Sequence, residues 1–256
     1  TDLDMLRGRE VTKIKFNDET YDQLQAEAAN GDPAVLALQC AVALWGTASR
    51  QADEQNAVDI CHDAAEAGDP AAHVYYGYAL IEEKLYVGAD TAALDAAALG
   101  EFKKAADLGS PWGEVEYGLR LREGEGVAAN PIEAERLFKS AQARGLPAAD
   151  RALGRLYLSG LVGSPGDEEA FALLKKAADA GDPEAQFFYG EKLEEGMHIA
   201  EDPQAALAYY RKAAASDDPD VAFNASKWVK GLEERLAREA TEPTAPAPAP
   251  APPAPN

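Results

Sequence analysis

The chain of 256 residues is acidic, because 45 Asp and Glu stand against 24 Lys and Arg and give a formal net charge of −21. A surface of this sign repels phosphate backbones and anionic lipid, so binding to nucleic acid or to a membrane surface is not expected. Apolar residues make up 46% of the sequence, but none of their runs approaches the roughly 18 residues of a membrane-spanning helix. Abundant alanine and the lack of sustained alternation of Val, Ile and Thr favour an all-α fold.

Three regions follow one another along the sequence. Residues 1–16 share no pattern with the rest and form an N-terminal extension, and residues 17–240 contain repeats. Residues 241–256, TEPTAPAPAPAPPAPN, hold seven of the sixteen prolines and predict an extended, disordered tail. Because the sequence starts at Thr1 rather than Met, it is expected to be either a processed mature form or a trimmed sequence, and in a processed form the removed segment is expected to be a signal peptide. This makes a periplasmic or secreted location the leading hypothesis and a cytoplasmic one the alternative.

A turn motif recurs through the repeat region. Five copies read Gly-X-Pro, and X is Asp in three of them. A sixth copy reads Asp-Asp-Pro. Gly favours the left-handed conformation that ends a helix, Asp or Ser caps the next helix, and Pro fits its first turn. The copies are 37, 41, 36, 36 and 36 residues apart, and they start at Gly31, Gly68, Gly109, Gly145, Gly181 and Asp217. The spacing predicts five helix–turn–helix units of about 36 residues.

Small residues recur at two further positions of each unit. Nine residues after each motif begins stand Cys40, Gly77, Gly118, Gly154, Gly190 and Ser226. Eleven residues before the next motif stand Ala57, Ala98, Ala134, Ala170 and Ala206. Gly inside a helix costs about 1 kcal/mol relative to Ala, so we expect these positions to allow close approach of two antiparallel helices. A helix beginning near Asn17 and another from Pro219 to about Glu239 are predicted as capping half-units.

Two stretches carry a family resemblance: EYGLRLREGEGVAANPIEAERLFKSA (116–141), and GDPEAQFFYGEKLEEG (181–196) followed by AALAYYRKAA (205–214). They resemble the Sel1-like repeat family, relatives of the tetratricopeptide repeats, and the resemblance covers roughly residues 31–217. It implies a right-handed α-solenoid of five helical hairpins with capping half-units. It also implies a role in assembling protein complexes or in signalling, often in bacterial envelopes.

The two cysteines are candidates for a disulfide. Cys40 lies at the close-contact position of the first helix, and Cys61 lies four residues after Ala57, on the same stripe of the facing helix. A bond between them would close a loop of about 20 residues and stabilise the fold by roughly 3 kcal/mol. The alternative is that both are buried as small apolar side chains. A metal site that adds His62 and His73 is not expected, because these side chains do not converge on the cysteines.

The inner side of the predicted stack is rich in aromatic and apolar side chains, with two arginines. Exposed aromatic and Arg side chains are typical anchors of protein interfaces. Two alternatives remain open: these side chains pack between neighbouring repeats, or residues 5–16, which carry a net positive charge, cover them. The candidate partner-binding residues of the concave face are Trp45, Tyr75, Tyr78, Ile81, Trp112, Val115, Leu119, Arg151, Arg155 and Phe187.

The function predicted from these observations is a non-enzymatic scaffold or adaptor that binds a protein partner. The partner is expected to be basic or neutral because of the net charge. No nucleophile motif, phosphate-binding loop or set of metal ligands is found in the sequence, so no cofactor is expected. One alternative is an exported regulator of a membrane sensor. Another, which the resemblance implies, is a protein that binds cell-wall fragments or β-lactams and hydrolyses them weakly.

Overall fold

The structure, a computed structural model, describes residues 18–46, 52–87, 91–163, 165–196, 199–216 and 218–241. The predictions for residues 1–16 and for the tail beyond Thr241 lie outside the described residues. Within the described ranges the chain forms helices α1 (Asp18–Ala28), α2 (Pro33–Trp45), α3 (Glu54–Glu66), α4 (Pro70–Val87), α5 (Thr91–Asp107), α6 (Pro111–Glu123), α7 (Pro131–Ala143), α8 (Pro147–Leu158), α9 (Asp167–Asp179), α10 (Pro183–Glu195), α11 (Pro203–Ala214) and α12 (Pro219–Thr241). None of these helices is both long and apolar enough to span a bilayer.

The recurrent turn motif forms the junction between one helical hairpin and the next. At the junction before α10, Gly181 has a φ of 97°, a conformation that favours glycine. The side chain of Asp182 accepts a hydrogen bond of 2.7 Å from the amide of Ala185, and Pro183 is the first residue of α10. Ser110 caps α6 in the same way by accepting a bond of 2.9 Å from Gly113. The predicted boundaries between hairpins are confirmed.

Each hairpin closes around the small residue in its first helix. A Cβ atom added at Gly118 of α6 would lie 2.5 Å from the ring of Phe138 in α7, and one added at Gly190 of α10 would lie 2.8 Å from the ring of Tyr210 in α11. A Cβ atom added at Gly154 of α8 would lie 2.8 Å from the backbone oxygen of Ala170 in α9. The glycines therefore remove the side chain that would keep the paired helices apart.

In the first hairpin, formed by α2 and α3, the two cysteines occupy the positions that glycine and the facing ring occupy in other hairpins. The Sγ atoms of Cys40 and Cys61 are 1.99 Å apart and the Cα atoms 4.6 Å apart. Cys61 is at the position that holds an aromatic ring over glycine in three other hairpins, at Phe102, Phe138 and Tyr210. The pair is therefore able to form a disulfide that joins the two helices at their closest approach.

The hairpins α2–α3, α4–α5, α6–α7, α8–α9 and α10–α11 stack in chain order, and α1 and α12 pack at the two ends. First helices also contact one another along the stack, as α2 does with α4 and α6 does with α8. In the described part of the chain, no comparable contact joins successive second helices. First helices therefore form the inner layer, and the protein is an all-α solenoid.

Candidate functional site

A groove lies along the inner layer of first helices. Its main cavity has a volume of about 870 Å³ and is lined by residues of α2, α4, α6, α8 and α10, together with a few residues around the end of α11. A second cavity of about 490 Å³ lies between α8, α10 and α12. Arg151, Arg155 and Glu184 line both cavities, so the two are parts of one groove.

The end of the groove nearest α2 is aromatic and acidic. The rings of Trp45 and Tyr78 are 6.1 Å apart between centroids. The Tyr78 hydroxyl donates a hydrogen bond of 2.8 Å to the carboxylate of Glu116 on the next first helix. Burial raises the pKa of Glu116, although Arg120, 3.7 Å away, and the Tyr78 hydroxyl oppose this. Burial and the Glu116 charge raise the pKa of Tyr78 well above its usual value, so its hydroxyl remains a donor.

The middle of the groove is basic. The buried guanidinium of Arg151 on α8 lies 3.0 Å from a carboxylate oxygen of Asp182 and 2.8 Å from one of Glu184, both at the start of α10. Arg155, one turn further along α8, lies 5.4 Å from the centre of the Phe188 ring. Burial lowers the pKa of Arg155, and the nearby charges of Arg122 and Arg151 lower it further.

The sequence of three consecutive units of this stack matches a known repeat. Residues 113–146, 147–182 and 183–218 each match the model of the Sel1 repeat. Residues 113–218 of the chain are three Sel1 repeats. The three matched Sel1 repeats correspond to the hairpins α6–α7, α8–α9 and α10–α11, and the structure continues the same stacking through α2–α5. No curated protein matches the sequence.

Solved structures with similar folds include other Sel1-like repeat proteins. A Sel1 repeat protein from Oxalobacter formigenes matches with a TM-score of 0.61 and 21% identity, over 89% of this chain and 92% of its own. A sel1 repeat protein from Klebsiella pneumoniae matches with a TM-score of 0.56 and 21% identity, over 82% and 98%. A protective antigen of uropathogenic Escherichia coli strains, which displays an SLR fold, matches with a TM-score of 0.53 and 20% identity. The match covers 85% of this chain but only 45% of the antigen. At these identities the likeness shows the fold alone.

The structure brings most of the candidate residues to the groove of the Sel1-like solenoid. Six of them line the main cavity: Trp45, Tyr78, Trp112, Leu119, Arg151 and Arg155. Phe187 lines the second cavity with the same two arginines. The residues ten positions into each unit, which include Tyr78, Leu119 and Arg155, are the ones that open most regularly onto the groove.

Three candidate residues are placed elsewhere. Tyr75 is 2% exposed, and its ring packs edge-on against Trp45 at 5.5 Å. Val115 is fully buried among the side chains of α6, α7 and α8. Ile81 packs against the cluster around Phe102 and lines neither cavity. These side chains fill the contacts between and within hairpins. Position six or seven of a unit does not decide this, because Val115 and Arg151 share position six, yet only Arg151 reaches the groove.

The acidic residues of the groove were not among the candidates. Glu116 stands seven residues into its unit, the position that the candidate Tyr75 holds in the preceding unit, so its offset was an available signal. Trp228 of α12 lines the second cavity and lies 6.0 Å from Phe187 between ring centroids. Trp228 lies in the capping helix beyond the five units, for which no groove residue was predicted. Among the described residues, no group of three His, Cys, Asp or Glu side chains is placed to hold a metal ion.

Proposed function

We propose that the protein is a non-catalytic interaction scaffold that binds a segment of a partner protein in the groove along α2, α4, α6, α8 and α10. The observation that carries the proposal is the groove itself. Each of these five helices contributes side chains to one continuous surface, and that surface combines Trp45, Tyr78 and Trp112 with charged groups. Sel1 repeats are generally protein-interaction modules, which agrees with this use of the surface.

The groove favours recognition of a helix or an extended segment. Its aromatic side chains are already held by neighbours, as Tyr78 is by Trp45 and by the Glu116 carboxylate. Side chains fixed in this way lose little conformational entropy when a partner binds. The acidic surface as a whole attracts a basic partner and speeds the encounter, and it does not repel a neutral one. We therefore place the energetic anchors at Trp45 and Trp112 and assign a steering role to the outer carboxylates.

We further place the protein outside the cytoplasm, in the periplasm or the medium, with a role in envelope assembly or signalling. The support is the pairing of Cys40 with Cys61, which have the geometry of a disulfide, since such bonds persist in oxidising compartments. The E. coli structure with this fold is a protective antigen, which agrees with exposure beyond the inner membrane. Quenching cells with acid and then alkylating free thiols in denaturant tests the placement: both cysteines, which are fully buried in the folded protein, should resist alkylation until a reductant is added. Full alkylation without reductant would contradict it.

The experiment for the scaffold function compares two double variants in capture of partners from the source organism. The first, Trp45→Ala with Trp112→Ala, removes groove side chains. The second, Leu108→Ala with Ile132→Ala, removes two exposed apolar side chains that line neither cavity. We expect the first double variant to lose a captured protein that the wild type and the second retain, while circular dichroism shows both variants to be helical. Equal capture by all three proteins would refute binding in the groove.

A further inference from the structure

The middle of the groove contains an arginine that forms no ion pair in the described part of the chain. Arg151 is paired with Asp182 and Glu184, and Arg122 with Glu123. No such pair within 4 Å joins a carboxylate to the Arg155 guanidinium, which lies 5.4 Å from the centre of the Phe188 ring. Glu184 and Glu123 act on its charge only from a greater distance. In a chain of net charge −21, an arginine left without a carboxylate is the exception rather than the rule.

Apolar side chains surround this arginine on the side toward α12. Phe187 and Phe188 of α10 and Val221 and Trp228 of α12 line the 490 Å³ cavity together with Arg155. The Trp228 side chain is 44% exposed, although its ring packs on Phe187. A soluble protein gains by covering an exposed indole of this kind, and a ligand with an apolar group does so.

Charged groups of both signs lie around this point. The Nζ atom of Lys192 lies 5.3 Å from the centre of the Phe188 ring, and Lys192 is paired with Glu195. Glu191 and Asp220 also line the cavity. Burial raises the pKa of Glu191, which disfavours its negative charge. Arg122 and Arg151 are both close enough to Arg155 to lower its pKa, whereas the charges of Glu184 and Glu123 act in the opposite direction. An anion at this point is therefore bound by direct, charge-assisted contact with the Arg155 guanidinium.

We propose that Arg155 is the docking point for an acidic side chain of the partner segment, with a large apolar side chain of the same segment bound against Phe187 and Trp228. The inference rests on the proposed function and specifies the partner chemistry at one position of the groove. Arg155 lines both cavities, so it lies in the middle of the groove and not at an end. A segment that occupies the groove therefore passes Arg155, and the carboxylate belongs to an internal Asp or Glu rather than to a chain terminus. This local requirement is compatible with a partner that is basic or neutral overall.

The test uses two capped peptides that differ in one group: acetyl-Gly-Asp-Phe-Gly-amide and its Asn counterpart. Binding to the full chain is followed by NMR through the Arg155 Nε–H and Trp228 indole signals. We expect both signals to shift with the Asp peptide and the Asn peptide to bind about five- to tenfold more weakly. Arg155→Gln should reduce binding of the Asp peptide to the level of the Asn peptide. Trp228→Ala should weaken both peptides alike.

The control variant is Arg136→Gln, which changes an exposed arginine of α7 outside both cavities and should leave both affinities unchanged. Equal binding of the two peptides to the wild type, an unchanged preference in Arg155→Gln, or no binding of either peptide would overturn the inference. Tighter binding of acetyl-Gly-Gly-Phe with a free terminal carboxylate would overturn the assignment to an internal residue. None of these results bears on capture through Trp45 and Trp112, which lie outside the second cavity, so the two proposals fail separately.

Discussion

The ring of Phe138 in α7 lies directly against the backbone of Gly118 in α6, so that a Cβ atom at Gly118 would be 2.5 Å from the ring edge. Phe138 is fully buried, and the ring has no space into which it can withdraw. The same relationship joins Gly77 to Phe102 and Gly190 to Tyr210. The glycine and the ring four residues after the alanine of the second helix are therefore one packing unit, repeated along the solenoid.

This contact predicts opposite effects for two Gly→Ala substitutions. Gly118→Ala should lower the free energy of unfolding by about 2 kcal/mol, because overpacking outweighs the gain in helix propensity. Gly231→Ala in α12, where an added Cβ meets nothing within 4 Å, should raise it by about 0.5–1 kcal/mol. Urea unfolding of the two variants measures both changes. Stabilisation by Gly118→Ala would show that the ring does not restrict this position.

The Cys40–Cys61 pair predicts a stability that depends on redox conditions. The pair spans 21 residues of sequence, and closing a loop of this size restricts the unfolded chain and stabilises the fold by about 3 kcal/mol. Adding dithiothreitol to the wild type should lower the midpoint of urea unfolding. The variant Cys40→Ala with Cys61→Ala should already unfold at the lower midpoint and show no response to reductant. A wild type indifferent to dithiothreitol would mean that the cysteines are not bonded in the folded protein.

The pairing of the helices could be predicted from the sequence, whereas the residues that line the groove could be predicted only in part. Glycine stands nine residues into four of the five units. Because glycine destabilises an isolated helix, its regular spacing indicated which face of the helix is packed. Which inner-face positions open to solvent depends on how far successive first helices tilt apart, and that is set by side chains of several hairpins together. Tyr75 and Tyr78 lie three residues apart on α4, yet one is core and the other groove wall. Periodicity within a single helix does not distinguish them.

Glu116 predicts a pH dependence of a particular sign. Burial raises the pKa of Glu116 above the usual 4.5. At a pH between 4.5, the pKa in the unfolded state, and the raised pKa in the folded state, the folded protein holds a proton that the unfolded protein has lost. Stability associated with this group therefore falls as the pH rises above 4.5. Glu116→Gln keeps an acceptor for Tyr78 and removes the charge. The free energy of unfolding of this variant minus that of the wild type should increase from pH 4.5 to pH 7.5.

Glu133→Gln serves as the control with the opposite sign. Hydrogen bonds from Arg136 lower the pKa of Glu133, so the wild-type residue stabilises the fold above its unfolded pKa and loses this effect as the pH falls. Relative to wild type, the free energy of unfolding of Glu133→Gln should fall as the pH rises toward 4.5 and change little from pH 4.5 to pH 7.5. Urea unfolding over these pH ranges measures both trends. An equal rise for the two variants from pH 4.5 to pH 7.5 would contradict the assignment of a raised pKa to Glu116.

The Arg151–Asp182 pair joins α8 to the residue that caps the start of α10, and both side chains are buried. Arg151→Met leaves a buried carboxylate without its partner and should lower the free energy of unfolding by about 3 kcal/mol. Adding Asp182→Asn should recover part of this loss, because Asn still caps the start of α10 but carries no charge. A thermodynamic cycle of the two single variants and the double variant, measured by urea unfolding, gives the coupling. Additive losses would show that Arg151 is held by Glu184 alone, and in that case Glu184→Gln should reproduce the effect of Arg151→Met.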